Sequence, residues 1–236
     1  MIQVLSTTVE AVLEGTRGRG GAEAFVASED VVAARARRGR HADRTLAGRA
    51  ALRLLLAHVH GESPARARQL TVERRCEQCG DPHGRPRAIG ASLSGATSEQ
   101  HVLVAVAPHE AQVGVDVQTV PDSLWRGFDD AVLHTRERPG DGRPAKPGDP
   151  RAAIRLWTRK EALLKAAGVG LRVDPSLIPL VHRSPPDTTW WSITRDAPAE
   201  VQGLRVRDLP GPVPRAVAAS AVLPVHEVDL ATVLAR

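Results

Sequence analysis

The sequence predicts an α+β fold of two similar lobes that meet near residue 110. Three observations predict it. Helical and strand-like patterns occur in both halves of the 236-residue chain. The strand candidates return without the long crossovers that a parallel sheet needs. The length suits one or two domains with cores of their own, at roughly 150 residues per domain. The lobes are expected at 1–110 and 111–236.

The elements follow in order. Residues 43–60 read as a helix, because Leu52, Leu55, Leu56 and Val59 recur at helical spacing and Asp43 suits the N-cap. The stretch 61–66 (GESPAR) ends it, and the turn formers of 76–90 (CEQCGDPHGRPRAIG) read as a loop. Residues 101–107 (HVLVAVA) are a buried strand, and Val113–Gln118 forms another after a short connector. The Pro, Gly and charge of 136–150 make a flexible loop. Residues 151–167 are a second helix, closed by Gly168. Strands are expected near 177–182, at 190–194 and at 216–223.

Composition excludes several classes. A chain 42% apolar and 25% charged is that of a soluble globular protein, not a disordered one. No apolar run is long enough to span a bilayer. The N-terminal MIQVLSTTVE lacks a basic region and a long apolar stretch, so no secretory signal and a cytoplasmic location are expected. Two cysteines make no disulfide framework. Cys76, Cys79 and His83 are too few for a structural zinc site, which takes four ligands. CEQCG precedes a loop rather than a helix, which argues against a redox motif.

The net charge of +5 comes almost wholly from arginine, since only Lys146, Lys160 and Lys165 among 32 basic residues are lysine. Arg35, Arg37, Arg38, Arg40, Arg44, Arg49 and Arg53 cluster within one stretch. Such a cluster suits an acidic protein, a phosphorylated ligand or nucleic acid, while much of it is expected to form a solvated face. Nucleic acid is the weakest of these. No helix-turn-helix spacing is present, and 3% aromatic content leaves few stacking platforms.

Two segments carry chemistry. In the strand VGVDVQ, Val113, Val115 and Val117 point one way, while Gly114, Asp116 and Gln118 point the other. An oxygen pair beside a glycine suits Mg²⁺ or a polar substrate. In the helix LWTRKEALLKAAG, Leu156, Leu163 and Ala167 are expected to make the core stripe. Glu161 and Lys165 form an i, i+4 pair on the other side. They read either as an exposed ion pair or as a carboxylate for a metal beside an ammonium for a phosphate. Trp125, Phe128, Trp157, Trp190 and Trp191 are expected to pack.

Taken together, GVDVQ (Gly114–Gln118) followed by WTRKEALLKAAGVGL (Trp157–Leu171) resembles the signature of the Sfp-type 4′-phosphopantetheinyl transferases. Three weaker upstream matches keep the family's order: DRTLAGRAALR (Asp43–Arg53), HGRP (His83–Pro86) and ASLSGA (Ala91–Ala96). The resemblance implies a cytoplasmic, monomeric enzyme. It would move the phosphopantetheine arm of coenzyme A to a serine of an acyl or peptidyl carrier protein, releasing 3′,5′-ADP. It implies a pseudo-dimer of two α/β lobes with the active site between them. Asp116, Gln118 and Glu161 would hold Mg²⁺, and Glu161 would help deprotonate the serine. Lys165 would hold the pyrophosphate. Arg44, Thr45, Arg85 and Ser94 would sit by the nucleotide phosphates, with Lys160 a further phosphate contact.

Two positions depart from the pattern. Gln118 stands where the family usually has Glu, which predicts weaker Mg²⁺ affinity rather than lost activity. Gly95 follows Ser94 where the family has His, which predicts one missing contact to coenzyme A. These departures keep a second reading in view, a non-catalytic paralogue that binds coenzyme A in a regulatory or scaffolding role.

Overall fold

The computed structural model describes residues 1–76, 78–82, 84–138, 149–182 and 190–235. The chain runs β1 (Ile2–Thr8), α1 (Val9–Arg17), α2 (Ser28–Arg35), α3 (Arg40–Val59), β2 (Arg87–Ala88), β3 (Ala91–Ser98) and β4 (His101–Pro108). It continues through β5 (Val113–Val117), α4 (Phe128–Val132), α5 (Pro150–Ala167), β6 (Leu180–His182), β7 (Trp191–Ile193), β8 (Arg205–Asp208) and β9 (Arg215–Ala219). It closes with β10 (Val225–Val228) and α6 (Leu230–Leu234). Mixed helix and sheet make the fold α+β.

Two compact units emerge. One is Met1–Val113 with Leu223–Arg236, and the other is Gly114–Val222. The last segment thus joins the first unit, where the sequence had grouped it with the second. In the first unit the strand order is β10-β1-β4-β3-β2. β10 runs parallel to β1, with Ile2 opposite Val225, and β3 and β4 form an antiparallel pair. In the second unit the order is β5-β9-β8-β7-β6.

Helix α3 is the spine of the first unit. It starts three residues before the expected Asp43, because Gly39 takes φ +50° and turns the chain into Arg40. Asp43 lies in the first turn, where its charge suits the helix dipole. Residues Ala50 to Ala57 are all buried, so the middle of the helix has no solvated face, whereas Val59 is exposed. The buried stretch includes Arg53, whose guanidinium donates to Asp30 at 2.5 Å. Arg49 joins the same carboxylate at 2.8 Å, and Arg74 lies 3.8 Å away. A buried carboxylate is tolerated when it is paired in this way.

Helix α5 is the spine of the second unit. Asp149 caps it by accepting from the Arg151 amide, Pro150 fits its first turn, and Gly168 closes it in the left-handed region at φ +76°. Its buried face is centred on Ala162, Leu163, Leu164 and Ala166, packed on Val206, Ala216 and Ala218. Leu156 and Ala167, expected on the core stripe, are only half-buried. Phe128 and Trp190 pack as expected, but Trp125 is 46% exposed and touches Phe128 and Trp157 edge-on.

Several strands were not expected. β1 and β3 carry as many small polar residues as apolar ones, and β8 and β10 are short and charged. Residues 61–69 include a 3₁₀ turn from Pro64, and the expected loop 136–150 lies outside the described residues from 139 to 148.

Candidate active site

The second unit brings strand β5 against helix α5, and glycine makes the approach possible. A Cβ at Gly114 would overlap the Ala162 carbonyl oxygen and the Ala166 amide nitrogen. Side chains alternate along β5, so the face that carries Gly114 also carries Asp116. That contact sets Asp116 beside the second half of α5.

Asp116 is 1% exposed. Its Oδ1 accepts from Lys165 Nζ at 2.6 Å, and its Oδ2 accepts from Gln118 Nε2 at 2.9 Å. Gln118 follows the end of the strand and is held there by its own amide, which donates to Pro214 O. The close partner of Lys165 is therefore Asp116, and no direct i, i+4 ion pair with Glu161 forms among the described residues.

Glu161 completes the group. Burial raises its carboxyl above the ordinary carboxylate range, Lys165 pulls it down, and Asp116 pushes it further up. Among the described residues its carboxylate has no hydrogen-bond partner.

This donor set fits Mg²⁺, a hard cation that takes carboxylate and amide oxygens together with water. Asp116 adds to the raised proton affinity of Glu161, and the charge that the two carboxylates present is one a divalent cation neutralises. Gln118 shows its NH₂ to Asp116, and a half-turn of the amide would present its oxygen instead. No group of three His, Cys, Asp or Glu side chains suited to a metal occurs among the described residues, and the Gln118 amide offers an oxygen beside the two carboxylates.

Comparison with known families falls on this same segment. Residues 112–214 match the model of the 4′-phosphopantetheinyl transferase superfamily. The match begins just before β5, contains all of α5 and ends at Pro214. A domain of the phosphopantetheinyl transferase superfamily is thus present in the second unit, and it supports a transferase. No curated protein matches the chain.

The remaining expected residues fall into separate places. Arg44 and Thr45 line a cavity of the first unit of about 190 Å³, together with Arg49, Arg74 and Gly95. Arg44 Nη2 lies 2.9 Å from His41 Nδ1, and Thr45 Oγ1 donates to the His41 carbonyl. Burial first, and then the charge of Arg49, lower the Arg74 guanidinium to about 10. Arg85 reaches Ser92 Oγ and Val113 O at 3.4 Å each, and Ser94 is buried in β3 opposite Ala105.

Lys160 stands apart from its neighbour in sequence. It is wholly buried and donates to Val132 O and to Glu137 Oε2, each at 2.5 Å. Burial lowers its ammonium below the ordinary lysine range, and the hydrogen bond it donates to Glu137 offsets part of this. Glu137 also accepts from the amides of His134 and Leu180, so the pair fastens that loop and β6 to α5. Contact between Lys160 and a phosphate would require this link to break.

His83, the third member of the Cys76–Cys79 group, lies outside the described residues. Sequence reasoning missed Arg74 and the Asp30 hub. Arg49 and Arg53 stood only among the clustered arginines, and nothing local announced a carboxylate between them.

Proposed function

We propose that the protein is an Sfp-type, Mg²⁺-dependent transferase. It moves the 4′-phosphopantetheine arm of coenzyme A to a serine hydroxyl of an acyl or peptidyl carrier protein. The observation that carries this reading is the group of Asp116, Gln118, Glu161 and Lys165, assembled by β5 and α5 inside the segment that matches the superfamily.

The chemistry is a displacement at phosphorus. The serine oxygen forms a bond to the phosphorus of the pantetheine phosphate. The bond from that phosphorus to the bridging oxygen breaks, and 3′,5′-ADP leaves. The serine proton goes to Glu161, directly or through water, and its raised proton affinity suits a general base. Lys165 has three N–H donors and uses one on Asp116, leaving others for the pyrophosphate. Asp116, Gln118 and Glu161 would hold Mg²⁺, which when bound neutralises charge that builds on the phosphate oxygens. Arg44 and Thr45, beside Arg49 and Arg74, offer an arginine-rich cavity for the anionic nucleotide end, and Arg85 and Ser94 are assigned to the same ligand. Carrier proteins of this kind are acidic, which suits a partner of net charge +5.

The test is the intact mass of apo acyl and apo peptidyl carriers after incubation with the protein, coenzyme A and Mg²⁺. The expected result is a gain of one phosphopantetheine arm, abolished by Asp116→Ala and by Glu161→Ala. Absence of any gain while coenzyme A still binds would replace this reading with the non-catalytic paralogue.

A further inference from the structure

A second basic cavity lies in the second unit, where the β8–β9 hairpin meets the start of α5. It has a volume of about 410 Å³ and is lined by Arg151, Arg155, Arg207 and Arg215, with Trp191 and Asp208. That volume is within the range of small-molecule sites, roughly 300–1,000 Å³.

Its charge is unbalanced. Asp208 is the one acidic residue among the lining residues, and Arg159 already holds both its oxygens. Nε donates to Oδ1 at 2.8 Å and Nη2 to Oδ2 at 2.5 Å. Four guanidiniums therefore share a cavity whose one carboxylate is committed elsewhere.

Two of the arginines are also held in place. Arg215 is 8% exposed, and the hairpin folds over it so closely that a Cβ at Gly211 would lie 2.6 Å from its Nε. Arg151 Nη2 donates to Pro212 O at 2.9 Å. The Arg207 Nε is buried and has no hydrogen-bond partner among the described residues. Arg155 is exposed and pairs with no carboxylate among them. The Nε of Arg207 and the guanidinium of Arg155 thus keep donors that are unused among the described residues, and guanidinium forks match the geometry of phosphate oxygens.

We infer that this cavity is an oxyanion site for a phosphate-bearing small molecule, separate from the group at Asp116. It uses none of Asp116, Glu161 or Lys165, so it stands whether or not the protein transfers phosphopantetheine. Arg155 precedes Glu161 by six residues, about 9 Å along the helix axis at 1.5 Å per residue. Pro214, which lines the cavity, accepts the amide of Gln118. A ligand here would bear on the strand end that carries Gln118.

The experiment is thermal unfolding of the full chain titrated with inorganic phosphate, against sodium chloride at matched ionic strength. Ligand binding saturates, whereas general salt exclusion rises without a plateau. The wild type and Lys165→Ala are expected to show a saturating rise in melting temperature with the same half-saturation. Arg155→Ala and Arg207→Gln are expected to weaken it tenfold or more. The exposed Arg155 position decides the matter should Arg207→Gln fail to fold. A phosphate response no different from chloride, a wild-type response in Arg155→Ala, or loss of saturation in Lys165→Ala would overturn the assignment. The last would move the phosphate to the Asp116 group.

Discussion

Glu161 and Lys160 are neighbours in sequence with opposite fates. Lys160 is locked to Glu137 in the interior, where breaking a buried pair by removing one partner is costly. Glu161 is left with a raised proton affinity and no bonded partner among the described residues, a destabilised state that suits a binding or catalytic role. The raised carboxyl has a consequence for the metal-free protein. Its unfolded counterpart ionises near 4.5, the ordinary value. Just above that, the folded state still holds the proton and the unfolded state has lost it. The folded state then binds more protons, so stability falls as pH rises through this window and levels off above the folded value. Denaturation midpoints measured from about pH 4 to 8 should show that decline in the wild type. Glu161→Gln should remove it, and an identical pH profile in both proteins would refute the assignment.

The β5–α5 contact is the element on which the site depends, and it rests on Gly114. The atoms that a Cβ would meet there are backbone, which cannot rotate away. Gly114→Ala is expected to cost about 3 kcal/mol or more, read as a lowered urea midpoint. Gly95→Ala is the control, because a Cβ there meets only ordinary contact with Val104 at 3.5 Å and should change the midpoint little. Equal midpoints for the two variants would show that the strand and helix can move apart. Both segments were legible in the sequence for physical reasons. β5 alternates valine with glycine and aspartate, and α5 carries Pro at its start and Gly at its end. The start of α3 was misread because Asp43 is a good cap chemically, while Gly39 turns the backbone earlier. β3 was illegible because ASLSGATS has little intrinsic strand preference and is extended by pairing with β4 and, at its start, with β2. Pairings between distant arginines and carboxylates, such as Asp30 with Arg53 and Arg159 with Asp208, leave no periodic trace in a sequence.

At the scale of the whole molecule, the chain returns to the unit in which it began. β10 adds a parallel strand beside β1, with Leu5 opposite Val228. Val228, Val233 and Leu234 are buried in the same cluster as Val12 and Leu55. Sequence order gave no sign of this, because the last residues follow directly on the second unit, and parallel pairing of β10 with β1 is a long-range event. Removing residues 223–236 would expose the edge of β1 and leave that core open. Hydrogen exchange read by mass spectrometry should then show faster exchange across β1, α1 and α3. Protection in α5 and β9, which belong to the other unit, should be retained. Uniform loss of protection in both units would mean that they fold as one cooperative body. Unchanged protection in α3 would mean that the C-terminal strand contributes nothing to the first core.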